Sequence, residues 1–393
     1  MKDRGLAMIL IATLVTLTLG WLLKAPCLGS WADGRQYNRL CYSDVAALYA
    51  SGDRDRGLDE DRFPYLDGEN EYPVLTGLSM WVTALPADGY PTFFTWTALL
   101  LTGAALATSA LLYRVAGQRA FLFALAPTLA IYGLMNWDLL AVALAAGGTV
   151  AYLRKRDTAA GVLLGLGAAA KLYPALLVVP FALGRLRARE RSGAARLAGW
   201  AAGAWVAVNL PFAIVSFDRW SEFFRFNAIR PDDWDSLYRI SARYLGFTWD
   251  PAIVNGLALL LFLALGAALW ISVGRHMPAS ETWKLAFPLL ILFLLTSKVY
   301  SPQYGLWLLP WFALAFPDIR LFAAFQLADI AVFVTRFEFF AQLQGVGDGL
   351  PRWSFELAVL VRAAILVLCV IVWARRAKRQ PEAETVHALA GAA

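Results

Sequence analysis

Residues 158–184 read TAAGVLLGLGAAAKLYPALLVVPFALG, an apolar run interrupted by a single charge on Lys171. A bilayer core of about 30 Å is crossed by about 20 apolar residues, because every buried backbone amide must find its partner within the segment. This run is too long for one crossing. The backbone before Pro174 is also pushed away from helical geometry. The stretch therefore predicts two half-length membrane helices meeting at Lys171-Leu172-Tyr173-Pro174.

The same signature recurs on both sides. Residues 6–23, 92–113, 197–216, 251–273 and 354–374 are long enough to span. Shorter or Pro-interrupted runs occupy 120–135, 138–153, 283–297, 303–317 and 320–335. Residues 1–23 read as a first span rather than a signal peptide, since the apolar run is long, no Ala-x-Ala site follows and Pro26 stands nearby. The expectation is an all-α polytopic membrane protein with about 12 helical segments, one pair forming a half-length hairpin, and a small external loop subdomain. Residues 1–375 form one domain in this reading, and 376–393 a cytoplasmic tail.

Composition agrees. Of 393 residues 59% are hydrophobic and only 16% charged, against about 25% charged in soluble domains. That excludes a soluble enzyme and a disordered chain. The net charge of +6 suggests nucleic acid until the basic residues are placed. With the N-terminus in the cytoplasm, Lys2, Arg4, Arg114, Arg119, Arg154 to Arg156, the arginines between 185 and 196, Arg275 and the 375–379 cluster all fall inside. The distribution follows the positive-inside rule, and the surplus belongs to a membrane fringe.

Loops at 24–91, 217–250 and 336–352 are then external. The first holds Cys27 and Cys41, which in an oxidising compartment either form a disulfide, worth about 3 kcal/mol in the chain-entropy model, or stand as two inert thiols. Asp44 to Tyr49 reads as a short helix, with Val45, Leu48 and Tyr49 on one face and Ser43 as N-cap. A polar, acidic stretch from Ser51 to Asp61 follows, and a further apolar run at 74–85 is too short to span. No internal repeat is evident.

Three classes suit such a chain: a transporter or lipid flippase, a membrane-embedded transferase, or a non-catalytic envelope-assembly scaffold. A transporter places ionisable groups near the bilayer midplane. Only Asp329 and Arg362 qualify, and they can simply pair. The other unusual polar residues, including Arg336 with Glu338, gather at helix ends on the external side, which suits chemistry on a lipid-linked substrate.

Six short motifs occur in order: Tyr42-Ser43-Asp44 with Tyr49, Pro64-Tyr65, Glu71-Tyr72-Pro73, Asn136-Trp137-Asp138, Lys171-Leu172-Tyr173-Pro174 and Ser301-Pro302-Gln303-Tyr304. Together they resemble the GT-C integral membrane glycosyltransferases, and more closely the family 87 polyprenyl-phosphate-mannose-dependent mannosyltransferases of actinobacteria. The resemblance runs from the first span to about residue 310. It implies a polyprenyl-phosphate sugar donor, mannose as the sugar, and a glycolipid or polysaccharide acceptor. It also implies an acidic general base just after the first span, which is Asp44 here. Where the family has Tyr-Pro-Pro, this chain has Tyr72-Pro73-Val74.

The residues fit that chemistry. One carboxylate suffices for a single inverting displacement, whereas retention needs two carboxyls about 5 Å apart. Asp44 is the candidate base, with the reading of a helix N-terminal acid beside it; Glu71 and Asp138 are the secondary acids. Lys171, Lys298, Arg225 and Arg230 are the candidate phosphate ligands. For Lys171 the competing reading is a structural pair with Asp138, for Lys298 an interfacial anchor, and for the loop arginines membrane anchoring beside the loop aromatics. Tyr49, Tyr65, Tyr72, Asn136 and Gln303 are candidates for sugar or acceptor contacts. No cofactor and no metal site is expected: no nucleotide-cradling Gly-rich loop or zinc spacing occurs, and His276 and His387 fall on the cytoplasmic side. Gly161 to Gly167 reads as close helix packing.

Overall fold

The computed structural model describes residues 2–29, 33–49, 63–67 and 70–379. The acidic stretch 51–61 and His387 lie outside the described residues. Among these the chain is all-α: α1 (Lys2–Lys24), α2 (Arg35–Asn38), α3 (Asp44–Tyr49), α4 (Val74–Ala84), α5 (Tyr90–Ala116), α6 (Phe121–Ala124), α7 (Pro127–Tyr132), α8 (Asp138–Leu153), α9 (Asp157–Ala170), α10 (Tyr173–Arg187), α11 (Arg191–Val215), α12 (Phe217–Ile229), α13 (Leu237–Leu245), α14 (Pro251–Ser272), α15 (Ala286–Thr296), α16 (Leu309–Leu314), α17 (Ile319–Leu343) and α18 (Arg352–Arg379).

Among the described residues six helical segments are long and apolar enough to cross a membrane: Arg4–Cys27, Tyr90–Ala124, Arg191–Val215, Pro251–His276, Ala279–Thr296 and Arg352–Arg379. At 1.5 Å per residue α1 is about 34 Å long, matching a hydrocarbon core. α11 and α14 lie at the periphery, with Ile214 73% and Leu260 63% exposed. Leucine side chains facing outward along a whole helix are stable only in lipid. The protein is a multi-pass membrane protein.

The short and broken segments sit inside this ring. Leu306, Leu308, Leu309, Phe312 and Ala313 are fully buried, as are Phe123, Ala124 and Leu129. Pro127 and Pro310 break the helical runs there, and freed backbone groups at membrane depth survive only where protein supplies partners. It does so here. The Thr16 hydroxyl donates to the Ala124 carbonyl at 2.7 Å, and the Gln326 side-chain oxygen accepts from the Thr128 N–H at 3.1 Å.

The hairpin at 158–184 forms as expected. α9 ends at Lys171, whose backbone is extended (φ −152°, ψ 140°), and α10 begins at Tyr173 with Pro174 in its first turn. The glycines of α9 pack it against α11. A Cβ at Gly161 would lie 2.4 Å from the Leu197 carbonyl oxygen, and one at Gly165 would lie 2.2 Å from that of Ala201. Small residues at this spacing let two backbones touch.

Three expectations shift. Residues 303–317 are not one span: a 3-10 turn over Pro302–Trp307 leads into the six-residue α16, because Pro302 and Pro310 divide the run. Residues 217–250 hold α12 and α13, not a plain loop. α17 continues through 336–343, since Arg336 finds carboxylate partners and Phe337, Phe339 and Ala341 are buried.

Different charged residues gather at the two ends of the bundle. One gathers Arg154, Arg185, Arg187, Arg275 and Arg376, with Arg187 donating to the Gly274 and Arg275 carbonyls. The other gathers Lys24, the 41–49 segment, Asn136, Lys171, Lys298 and Arg336.

Candidate active site

Four ties fix the segment that leads into α3. Cys27 and Cys41 form a disulfide with Cα atoms 5.8 Å apart, which returns the chain to the end of α1. The buried Lys24 ammonium donates to the Tyr42 carbonyl at 2.7 Å and lies 5.4 Å over the Phe333 ring. The Asp44 N–H donates to the Met135 carbonyl at 2.9 Å, and the Ser43 hydroxyl donates to that of Leu134 at 3.1 Å. Ser43 Oγ also accepts from the Val45 N–H, the N-cap role its position suggested. Val45 and Tyr49 are buried, and the Tyr49 ring stacks on Phe93.

So held, the Asp44 side chain faces a cavity of about 530 Å³. Its Oδ1 accepts from the Tyr42 hydroxyl at 2.8 Å. Its Oδ2 accepts from Asn136 Nδ2 at 2.7 Å and from Gln303 Nε2 at 3.3 Å. Asn136 lies where the chain breaks between α7 and α8. Its own Oδ1 accepts from the Trp137 N–H at 2.6 Å, which orients the amide, and its Nδ2 also reaches the Tyr72 hydroxyl at 2.8 Å. Burial first, and then the Asp44 charge, pushes the Tyr72 phenol well above its ordinary range. It acts as a neutral hydrogen-bonding group.

Across from this cluster stands Lys171, at the kink between α9 and α10. Its ammonium lies 5.1 Å over the Tyr72 ring and 5.4 Å over that of Tyr304, and 3.6 Å from Asp138 Oδ2. Asp138 is fully buried, and its Oδ1 accepts from Trp307 Nε1 at 2.7 Å. Tyr304 and Tyr173 both stack on Trp307. A buried lysine is stable here because one carboxylate and two ring faces offset its lost hydration.

The third wall comes from α12 and the chain around 297–301. Lys298 Nζ donates to the Arg230 carbonyl at 2.8 Å and to that of Ala228 at 3.4 Å, closing the C-terminal end of α12. Burial and the neighbouring Arg230 push its pKa down. Asp233 sits 3.5 Å from Arg336. Burial works to raise the Asp233 carboxyl, but Arg336 and Arg230 outweigh it and hold it below the usual range. Arg336 also pairs with Asp235, which with Asp329 flanks the buried Arg362. Asp329 and Arg362, the two midplane charges, are therefore a core ion pair.

Lys171, Arg230, Lys298 and Arg336 thus line one cavity with Asp44, Glu71 and Asp233. Phe223, Phe224 and Phe226 of α12, Ala258 of α14 and Phe293 of α15 supply an apolar side. The arrangement suits an amphiphile: carboxylates and cations line one cavity together with aromatic side chains. Among the described residues no group of three or more His, Cys, Asp or Glu could hold a metal.

Of the residues singled out in the sequence, Asp44, Glu71, Tyr72, Asn136, Lys171, Lys298, Arg230 and Gln303 meet at this cavity. Four do not line it. Asp138 is enclosed behind Lys171 and pairs with it. Arg225 donates to the Asp218 carbonyl at 2.6 Å and to Glu222 at 3.0 Å along its own helix. Tyr65 is buried, its hydroxyl donating to the Tyr72 carbonyl at 2.8 Å, and Tyr49, the last residue of α3, packs on Phe93 of α5. The last two shape the scaffold. Asp233 was missed, and Arg336 was given no role. Arg336 could have been suspected as a charge within an apolar run; Asp233 carries no local signal.

The sequence profile of glycosyltransferase family 87 matches residues 71–302, more than half of the chain. No curated protein sequence matches it. Among solved structures, the fold is similar to ArnT from Cupriavidus metallidurans bound to undecaprenyl phosphate, at 14% identity and a TM-score of 0.46, covering 95% of this chain and 78% of that one. It is similar to ArnT from the same organism in the apo state, at 13% identity and a TM-score of 0.46, covering 96% and 78%.

Proposed function

The chain belongs to glycosyltransferase family 87, and on that premise we propose that it moves a sugar from a polyprenyl-phosphate donor to a lipid-linked or polysaccharide acceptor, with inversion. The sugar is mannose, and the reaction takes place at the outer face of the inner membrane. The basic end of the bundle and both termini face the cytoplasm in this reading, as the positive-inside rule requires.

The observation that carries the reading is the Asp44 carboxylate, oriented by Tyr42, Asn136 and Gln303, in a cavity that several cations and a group of aromatic side chains also line. A carboxylate offers about four lone-pair sites. Asn136 and Gln303 occupy those of Asp44 Oδ2, and Tyr42 occupies one on Oδ1. One site on Oδ1 remains for the acceptor hydroxyl. Asp44 takes the hydroxyl proton as the acceptor oxygen attacks the anomeric carbon. The bond from that carbon to the phosphate oxygen breaks, and polyprenyl phosphate leaves with the electron pair. Lys171, with Arg230 and Arg336 lining the same cavity, offsets the growing phosphate charge. The polyprenyl chain leaves past Phe223, Phe224 and Phe293. One displacement inverts the anomeric configuration.

The test uses the full chain in lipid nanodiscs with polyprenyl-phosphate mannose and polyprenyl-phosphate arabinose. Release of polyprenyl phosphate and the anomeric configuration of the product are measured. Mannose transfer with inversion is expected. Retention would sink the single-carboxylate mechanism, and arabinose transfer alone would sink the sugar assignment. Substrate flux across vesicles without transfer would favour a transporter.

A further inference from the structure

A second hollow, of about 620 Å³, lies at the opposite end of the bundle, where α9 and α11 begin. Nothing in the transfer reaction uses it. Its rim is cationic. Lys155, Arg156, Arg185 and Arg196 stand at this corner against two carboxylates, Asp157 and Glu190. The buried Arg185 engages both acids, Asp157 at 2.7 Å and Glu190 at 3.2 Å. Arg196 lies 3.7 Å from Asp157 and Lys155 lies 3.4 Å from Glu190. Two positive charges remain in excess. Arg156 is exposed and makes no side-chain hydrogen bond or ion pair among the described residues. The first-turn N–H groups of α9, at Thr158 and Ala159, have no acceptor within the helix and face the same corner.

Below the rim the surface turns apolar. Ala159, Val162 and Leu163 line the hollow at i, i+3, i+4 on one face of α9. On α11, Gly199 and Gly203 follow Arg196 at i+3 and i+7. Both are exposed, and a Cβ at either would meet no atom within 4 Å. These glycines are not packing residues, unlike Gly161 and Gly165. Their missing side chains leave open space on the surface of α11 beyond Arg196.

We propose that this hollow binds an anionic phospholipid, with its phosphate held by Arg156, Arg196 and the start of α9 and an acyl chain lying over Ala159, Val162 and Leu163. Charge complementarity selects the headgroup: excess cations attract an anionic lipid, and a zwitterionic one would add another cation. The apolar floor selects a lipid over a soluble anion.

The full chain, purified in detergent, is titrated with phosphatidylglycerol, with phosphatidylcholine of the same acyl chains, and with glycerol phosphate. Thermal unfolding and native mass spectrometry are the readouts, and both are independent of sugar transfer. Phosphatidylglycerol is expected to bind saturably and raise the midpoint, the other two not. Arg156→Gln with Arg196→Gln should weaken binding roughly 30-fold, and Arg156→Gln alone about 5-fold. The single variant removes an exposed, unpaired side chain and carries the test if the double variant folds poorly. Arg119→Gln, a basic residue elsewhere in the chain, should leave affinity unchanged. Equal stabilisation by phosphatidylcholine, full stabilisation by glycerol phosphate, or wild-type affinity in the Arg156→Gln protein would overturn the proposal.

Discussion

Asn136 Nδ2 lies 2.7 Å from Asp44 Oδ2, joining the break between α7 and α8 to the first turn of α3 across 92 positions of sequence. The same amide nitrogen reaches the Tyr72 hydroxyl. One side chain thereby sets the direction of the carboxylate and of the phenol whose ring lies beneath Lys171. Replacing it by Asp turns a donor into a second acid, and two carboxylates that close cannot both ionise easily. Asn136→Asp is expected to lower transfer about 100-fold at neutral pH and to recover partly as pH rises. A pH–rate profile checks this; a variant with the wild-type profile would remove the orienting role.

Asp44→Asn keeps the size of the side chain and removes its basicity. General-base help is worth about 10²–10⁴ in rate, so kcat should fall by that much. Donor affinity, which depends on the cations across the cavity, should change little. Initial rates and equilibrium donor binding measured side by side decide it. A variant that keeps a tenth of the activity rules Asp44 out as base.

Lys171 and Asp138 form a buried pair, and removing one member strands the other. Lys171→Met is expected to destabilise the protein by about 3–5 kcal/mol and to weaken donor binding. Adding Asp138→Asn should restore much of the stability without restoring transfer. Thermal unfolding and donor KM for both variants separate the two effects. If the double variant regains activity, Lys171 is not a phosphate ligand.

Lys298 caps the end of α12. Its ammonium closes the last carbonyls of the helix that supplies Phe223, Phe224 and Phe226. Lys298→Met loses those bonds and should raise donor KM roughly 10-fold, with kcat nearly unchanged. A fall in kcat with constant KM would instead place the ammonium on the transition state.

The Cys27–Cys41 disulfide holds the segment that leads into Tyr42 and Asp44. Cys27→Ser with Cys41→Ser should cost about 3 kcal/mol in the chain-entropy model. Thermal unfolding with and without reductant measures it: reductant should lower the midpoint of the wild type and leave the double variant unmoved.

The spans were legible because each is a local property. An apolar run near 20 residues reports its environment by length alone, which is why α1, α5, α11, α14 and α18 begin and end close to where the hydropathy places them. The kink at Lys171 was equally local, set by a charge and a proline three residues apart. The broken segments were not. Residues 303–317 look apolar enough to be a helix, and only their burial among other helices lets Pro302 and Pro310 divide them without stranding polar backbone in lipid.

For the site, a short motif marks Asp44 as chemically notable but not what surrounds it. Which of the flanking residues meet at one cavity depended on how the helices pack. Arg225 and Arg230 stand five positions apart on the same stretch, yet only Arg230 lines the hollow, since the helical turn aims Arg225 at Asp218 and Glu222. Asp138 and Asp44 look alike in sequence; burial beside Trp307 makes one a counter-ion, while an opening beside Tyr42 leaves the other a lone pair to offer. Composition and periodicity therefore settled by themselves that this chain lives in a membrane. Only the tertiary structure decided which charges face one another, because contacts between residues tens to hundreds of positions apart leave no trace in any single segment.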